Sequence, residues 1–296
     1  MALSRPMVVS ARNEHRAGSK EWTMNSMARR MFELVEPIGL IPYSADEPNE
    51  TMFALGFTNY WDTYFAGRAA PLGLATAEVV DALFYNFAPG EVARHIPKVW
   101  DTTTPEAALA ARELGCVRAL RKILGDHVDS TAFARATELL LEAATSAPPE
   151  GRPMYAALLA IPVPDDVVAR LFYAGALLRE HRGDGHITAL MVEGVGGLEA
   201  HALYALGMDM PAEKFGRIHH LPAAQIAAVI DGMRDRGLIG EDGWLSEQGQ
   251  AVRRRVESLT DDLAAKPYEA LEPAELDELM VLLEPLAALL LAAQDF

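Results

Sequence analysis

The sequence predicts an all-α, mainly helical protein with a winged-helix-like module toward its C-terminal end. Three observations carry that expectation. Ala and Leu dominate while β-branched residues are sparse and scattered, which favours helix by propensity. Apolar residues recur at helical spacing between breaks marked by Pro, Gly and cap residues. Residues 222–263 read helix, Arg236-Gly237-Leu238, a short hairpin, Leu245-Ser246-x-x-Gly249, helix, which is the order of a winged helix.

Residues 1–21 carry Arg5, Arg12, Arg16 and Lys20 without an apolar core of signal-peptide length and read as a disordered tail. The first helix is predicted over 22–35, with Met27, Met31, Phe32 and Val35 on one stripe and Pro37 and Pro42 ending it. A second element spans 47–55. An aromatic segment covers 57–65, and a turn-rich connection follows at 66–73. Thr76 caps a helix over 77–87, and Pro89 opens a short one reaching His95. Thr104-Pro105-Glu106 starts a helix to about 124, and Ser130 or Thr131 caps the next, to about 145. The Pro-rich stretch 147–153 is the best linker, so 22–147 and 154–296 read as two helical domains. Asp165 caps 166–181. Gly183-Asp184-Gly185 breaks that helix, 187–193 resumes it, and three glycines interrupt again before 198–206. The winged-helix-like module covers 211–264. The last helix, 274–293, is broken by Pro285, and its face over 279–293 is either core or the seam of a homodimer. Phe65-Ala66-Gly67-Arg68 followed by a helix is echoed by Phe215-Gly216-Arg217 followed by a helix, which would fit two related winged-helix-like halves.

Charge bounds the partners. The chain holds 26 basic and 42 acidic residues, a formal net charge of −16, and such a field repels phosphate backbones. A DNA-reading winged helix needs donors on its recognition helix and cations on its wing. Here the recognition helix offers one neutral amide, Gln225, with Asp231 of the wrong sign, and the wing tip is Glu241-Asp242-Gly243. Arg253-Arg254-Arg255 reads as a solvated face paired with Glu257, Asp261 and Asp262. DNA is therefore an expected partner only in the alternative reading. The single Cys116 excludes an internal disulfide framework and a Cys-rich zinc site, and a cytoplasmic location is the simplest expectation. The apolar run 286–293 is far too short to span a bilayer, so no membrane is expected.

Two features carry chemistry. Arg179-Glu180-His181-Arg182-Gly183-Asp184-Gly185-His186 packs six ionisable side chains into eight residues. It is either a capped helix junction with solvated charges or the polar centre of a pocket. In the pocket reading, His181 or His186 carries a proton and Glu180, Asp184, Glu193 or Glu199 orients it. A metal held by the two histidines and a carboxylate matches no known helix motif, and no metal or cofactor is expected. His201 and the pair His219-His220 add nothing decisive. The second feature is the aromatic set Tyr60, Trp61, Tyr64, Phe65, Phe84, Tyr85 and Phe87. It is either core or the wall of a site for a planar ligand, with Tyr60, Tyr64 and Tyr85 offering hydroxyls and Arg68 an anion contact.

The segments 64–73, 84–87, 178–186, 236–238 and 260–262, with the Arg-Glu-His-Arg-Gly-Asp-Gly-His block most specific, resemble those of an actinobacterial helix-turn-helix, MarR-like winged-helix family over roughly 28–268. The resemblance implies the fold and no particular activity. In that family Glu-Pro-x is followed by His; here Glu36-Pro37-Ile38 is followed by Gly39, which implies a diverged site. The expected function is binding of a small aromatic or polycyclic compound of specialised metabolism. An acid–base step would use His181, His186, Asp184 and Glu180, with Arg179, Arg182 and Arg68 as phenolate or oxyanion contacts. The alternative is a MarR-like, ligand-responsive transcriptional regulator.

Overall fold

A computed structural model describes residues 23–212 and 220–293. The described residues form α1 (Met24–Gly39), α2 (Ile41–Ser44), α3 (Glu47–Phe53), α4 (Tyr60–Ala69), α5 (Ala77–Phe84), α6 (Pro105–Leu124), α7 (Thr131–Ser146), α8 (Pro153–Leu159), α9 (Val167–Val192), α10 (Gly197–Leu206), α11 (Ala223–Asp235), α12 (Glu247–Ala264) and α13 (Pro273–Ala293). The all-α expectation holds. Strand-like pairing among the described residues is confined to one antiparallel bridge, Ile239 with Leu245, which closes the hairpin between α11 and α12.

Local chemistry sets most helix starts. The side chains of Thr23, Asn59, Thr104, Ser130, Asp166 and Ser246 each accept a backbone N–H of the first turn they precede. Each satisfies a donor that the helix itself leaves open. The cap of α9 is Asp166, one residue beyond the expected Asp165.

Packing overrules the breaks read from Pro and Gly. Helix α1 runs through Pro37 and α13 through Pro285. A proline costs a helix about 3 kcal/mol. Met31, Leu34 and Ile38 on α1, and Leu283, Leu286 and Leu290 on α13, are buried deeply enough to offset it. Helix α4 likewise continues to Ala69, and the turn begins only with the 3-10 segment Ala70–Leu72 and Gly73, whose φ is 65°. Helix α5 stops at Phe84 rather than residue 87, and a single 3-10 turn, Val92–Arg94, replaces the short helix expected up to His95.

The main correction concerns α9. It is one unbroken helix through Gly183-Asp184-Gly185, so the expected junction between two helices does not exist. Gly185 serves close approach instead: a Cβ there would lie 2.3 Å from Arg152 Nη1 and 3.2 Å from Leu263 Cβ. Asp184 does not cap a following helix. Its carboxylate turns sideways and accepts the Tyr155 N–H in the first turn of α8.

Three cores follow from this arrangement. The largest joins α1, α6, α7, α8, α9 and α13, drawing apolar residues from both sides of 147–153. The expected face of α13 lies in it, with Leu279, Leu283 and Leu290 fully buried. A second, aromatic core forms under α4 and α5 around Phe65, Phe84 and Phe87. A third belongs to the winged-helix region: Leu190 at the end of α9, Leu203 on α10, Met233 on α11, Ile239 in the hairpin and Val252 on α12. Helix α9 contributes to the first and the third. The echo segment 215–217 and His219 lie outside the described residues, as does the expected tail.

Helices α3 and α6 touch through Gly115, where a Cβ would lie 2.4 Å from Pro48 Cα and 2.7 Å from the Glu47 carbonyl oxygen. Both neighbours are backbone, so they cannot rotate away. Gly115→Ala should lower stability by about 2 kcal/mol in urea denaturation, although alanine alone would favour the helix by up to ~1 kcal/mol.

Candidate functional site

The site begins with an arginine on an apolar stripe. On α6 the buried positions Ala108, Gly115, Cys116 and Ala119 define one face, and Arg112 lies on that face, 8% exposed. Its guanidinium donates to the Tyr43 hydroxyl at 3.4 Å and lies over the Tyr43 and Phe172 rings at 5.9 and 5.6 Å. Among the described residues no carboxylate comes within ion-pairing distance of it. Gly67 on α4 makes room: its missing Cβ would lie 3.4 Å from Arg112 Cδ.

Two further arginines close on the same place. Arg68 of α4 meets Glu180 of α9 in a forked contact, Nε to Oε1 at 3.4 Å and Nη2 to Oε2 at 3.2 Å. It also donates to the Tyr64 hydroxyl at 3.2 Å and lies 4.3 Å from the Phe84 ring centroid. Arg179 donates to Glu36 of α1 and to Glu180, each at 3.3 Å, beside the Tyr43 ring. Gly39 permits this, because a Cβ there would fall 2.6 Å from Arg179 Cδ. The volume a larger residue 39 would fill is taken by the methylenes of Arg179.

Burial alone would raise the Glu180 carboxyl; Arg68 and Arg179 overcome it and hold it down at about 2. Burial likewise works against the Arg68 cation, and Glu180 outweighs it. The Tyr43 phenol is raised by burial while Arg112, Arg179 and Arg68 pull the other way. Three guanidiniums thus share two carboxylates, and the surplus positive charge falls on Arg112. Beside it opens a small recess lined by Tyr43, Asn49, Tyr60, Thr63, Tyr64 and the two arginines 68 and 112, with apolar neighbours such as Met52.

Of the residues singled out from sequence, Tyr60, Tyr64 and Arg68 come together in this recess, with Arg179 and Glu180 behind it. Trp61 turns toward Phe65 and Phe87 in the aromatic core. Tyr85 points away and donates to the Val195 carbonyl at 2.6 Å. Arg182 forms a second network with Glu257 and Asp261 of α12, shared with Arg29 of α1, and covers the Phe32 ring at 4.0 Å. Those two acids therefore pair with Arg29 and Arg182 rather than with the expected 253–255 run, from which Arg255 reaches Glu193 instead. Glu199 caps its own helix at Gly196 and pairs with Arg236. His201 is buried, and its Nε2 lies 3.2 Å from the Ala212 carbonyl oxygen.

The two histidines of the block do not meet. Five residues apart on one continuous helix, they face different neighbours. His181 packs edge-on against Tyr155, with its Nδ1 buried and unbonded, and burial beside Arg152 depresses it to about 3. His186 places Nδ1 at 3.0 Å from Thr260 Oγ1 on α12, and burial lowers it to about 4. Neither is hydrogen-bonded to Glu180 or to Asp184, whose own carboxyl burial raises to about 6. The described residues contain no group of three or more His, Cys, Asp or Glu arranged to hold a metal ion. Tyr43 and Arg112 were missed from sequence, although an arginine in phase with Ala108, Gly115 and Ala119 is a readable signal.

Two outcomes follow. Arg68→Met leaves buried Glu180 with Arg179 as its remaining ion-pair partner and should cost about 3 kcal/mol in urea denaturation, whereas Arg112→Met removes a buried cation that makes no ion pair among the described residues and should cost less than about 1 kcal/mol. As pH falls below 6.5, the unfolded chain protonates His181 before the folded one does, so stability declines from 6.5 toward 3. Asp184 acts oppositely, since its raised value stabilises the fold as pH falls from about 6 toward 3.8. His181→Leu should therefore flatten the acid limb by about one proton, ~1.4 kcal/mol per pH unit, in denaturation at stepped pH.

No helix among the described residues is long and apolar enough to cross a membrane. No curated protein and no solved structure matches the chain. A family model described as a helix-turn-helix family does match, over residues 28–296, and it covers the recess as well as the α10–α12 region. The chain belongs to that helix-turn-helix family.

Proposed function

We propose that this helix-turn-helix protein binds a small organic anion, a single aromatic ring bearing one carboxylate or phenolate, in the recess between α2, α3, α4 and α6. The observation that carries this reading is Arg112: a guanidinium 8% exposed, without an ion-pair partner among the described residues, at the edge of a recess walled by tyrosines. Burying such a charge is costly unless something compensates it. A bound carboxylate would do so in the forked geometry that guanidinium favours. Tyr60 and Tyr64 supply ring faces, and Asn49 and Thr63 supply polar contacts that fix orientation. The recess is small, which favours one ring over the polycyclic compound expected from sequence. Binding is favoured over acid–base turnover because His181 and His186, at about 3 and about 4, are poorly poised as proton carriers near neutrality.

The family assignment favours a second reading, a DNA-binding regulator. Charge weighs against it. The exposed face of α11 presents Ala224, Gln225, Ala228 and Asp231. Arg234 is paired with Asp231 and Arg236 with Glu199, and the hairpin tip is acidic.

Titration calorimetry with 4-hydroxybenzoate and benzoate tests the first reading. Wild type should bind, and Arg112→Met should weaken binding at least about tenfold, ~1.4 kcal/mol, without loss of fold. A wild type that binds neither compound, or an unaltered Arg112→Met, would overturn it. Mobility-shift assays on DNA upstream of the gene should show nothing tighter than the ~10⁻⁶ M end of non-specific binding. A tight, sequence-specific shift would make the regulator reading correct.

A further inference from the structure

A second polar assembly begins at Asp62 of α4, which does not line the recess. Asp62 Oδ1 is 2.6 Å from His95 Nδ1. His95 stacks on Phe65, with ring centroids 4.5 Å apart, and its Nε2 lies 3.6 Å from Glu91 Oε1. The other Glu91 oxygen is 2.6 Å from His220 Nδ1. Carboxylate and imidazole thus alternate from α4 to the residue two before Pro222, the N-cap of α11. The inner three side chains are buried, Glu91 to 1% exposure, while His220 reaches solvent. The residues between 85 and 95 also touch the start of α10: Tyr85 donates to Val195, and a Cβ on Gly197 would strike the Tyr85 carbonyl at 2.1 Å.

We propose that the Asp62–His95–Glu91–His220 chain couples the recess to the seating of α11, the recognition helix of the winged-helix region. This rests on the recess reading above. At the recess end, Thr63, next to Asp62, lines the cavity; its hydroxyl donates to the Tyr60 carbonyl at 2.7 Å and lies 3.2 Å from Asn49 Oδ1. Asp62 itself is held by the Asn59 cap. A ligand that reseats Thr63 and Tyr64 must shift Asp62 with them, because all three share a ten-residue helix. At the other end, α11 has no side-chain cap of its own, so its entry depends on what holds His220. The two outer links are of hydrogen-bond length, while the His95–Glu91 link, 3.6 Å between two buried atoms, is an electrostatic contact in a largely dry setting, where a change on one side is felt by the other.

Hydrogen–deuterium exchange over 220–235, in the full chain with and without 4-hydroxybenzoate, tests this in wild type, Asp62→Asn and His220→Ala. None of these positions lines the recess. Without ligand, both variants should raise exchange in 220–235 at least about threefold, ~0.7 kcal/mol. Asp62→Asn is the informative one, since Asp62 lies three contacts away from that segment, with His95 and Glu91 between them. With ligand, wild type should change its exchange there and both variants should lose that response while still binding by calorimetry. Normal exchange in ligand-free Asp62→Asn, or a full ligand response in both variants, would overturn the coupling. Absence of calorimetric binding in wild type would overturn the recess reading instead and leave the ligand-free comparison to decide the coupling. Glu91→Gln provides the check should Asp62→Asn fail to fold.

Discussion

Glu180 is the constraint on which the rest of the structure hangs. It is a carboxylate in the middle of the longest helix, buried, and stable there only because Arg68 and Arg179 reach it from two sides. That requirement ties α4 to α9 through Arg68, and ties α1 to α9 through the Arg179–Glu36 pair. Once these three helices are fixed, Tyr43 and Tyr64 meet with ring centroids 5.3 Å apart, and the recess forms between them and α6. An ion pair of this kind contributes little net stability, because desolvating both partners cancels most of the attraction. Its value is in specificity: a misplaced α4 leaves a bare carboxylate in the core.

Much of the fold was legible because its signals are local. Thr104 before Pro105, Ser130 before α7 and Ser246 before α12 act on the N–H groups of the next turn, so sequence alone suffices. The failures share one physical cause. Gly183-Asp184-Gly185, Pro37 and Pro285 are helix-breaking only in isolation, and each sits where contacts distant in sequence outweigh the local penalty. Gly185 is small because Arg152 and Leu263 press on it, a fact that no window around residue 185 contains.

The site was half legible for the same reason. Tyr60, Tyr64 and Arg68 lie on one helix at spacings of four, so reading them together needed only helical periodicity. The Arg179–His186 block stood out by charge density, yet charge density does not say where side chains point. On a continuous helix, its members divide among α4, α8 and α12: Glu180 to Arg68, Asp184 to the start of α8, His186 to Thr260. Tyr43 comes from a four-residue helix and Arg112 from a helix otherwise read as core. Their meeting depends on the packing of α2 against α6, which is tertiary information.

The distribution of charge argues for what kind of anion such a recess can admit. The chain as a whole is at −16, so an approaching anion is repelled at distance, and at physiological salt that repulsion is screened beyond about 8 Å. Attraction is left to short range, where the surplus guanidinium of Arg112 acts in a setting of low polarity. One uncompensated positive charge balances one negative charge. In the proposed reading, a phosphate or dicarboxylate would bring a second charge that Arg68, already paired with Glu180, is not free to balance. In the proposed reading, the acidic surface discourages a phosphate backbone, and the charge count in the interior favours a singly charged ligand whose remaining area is aromatic.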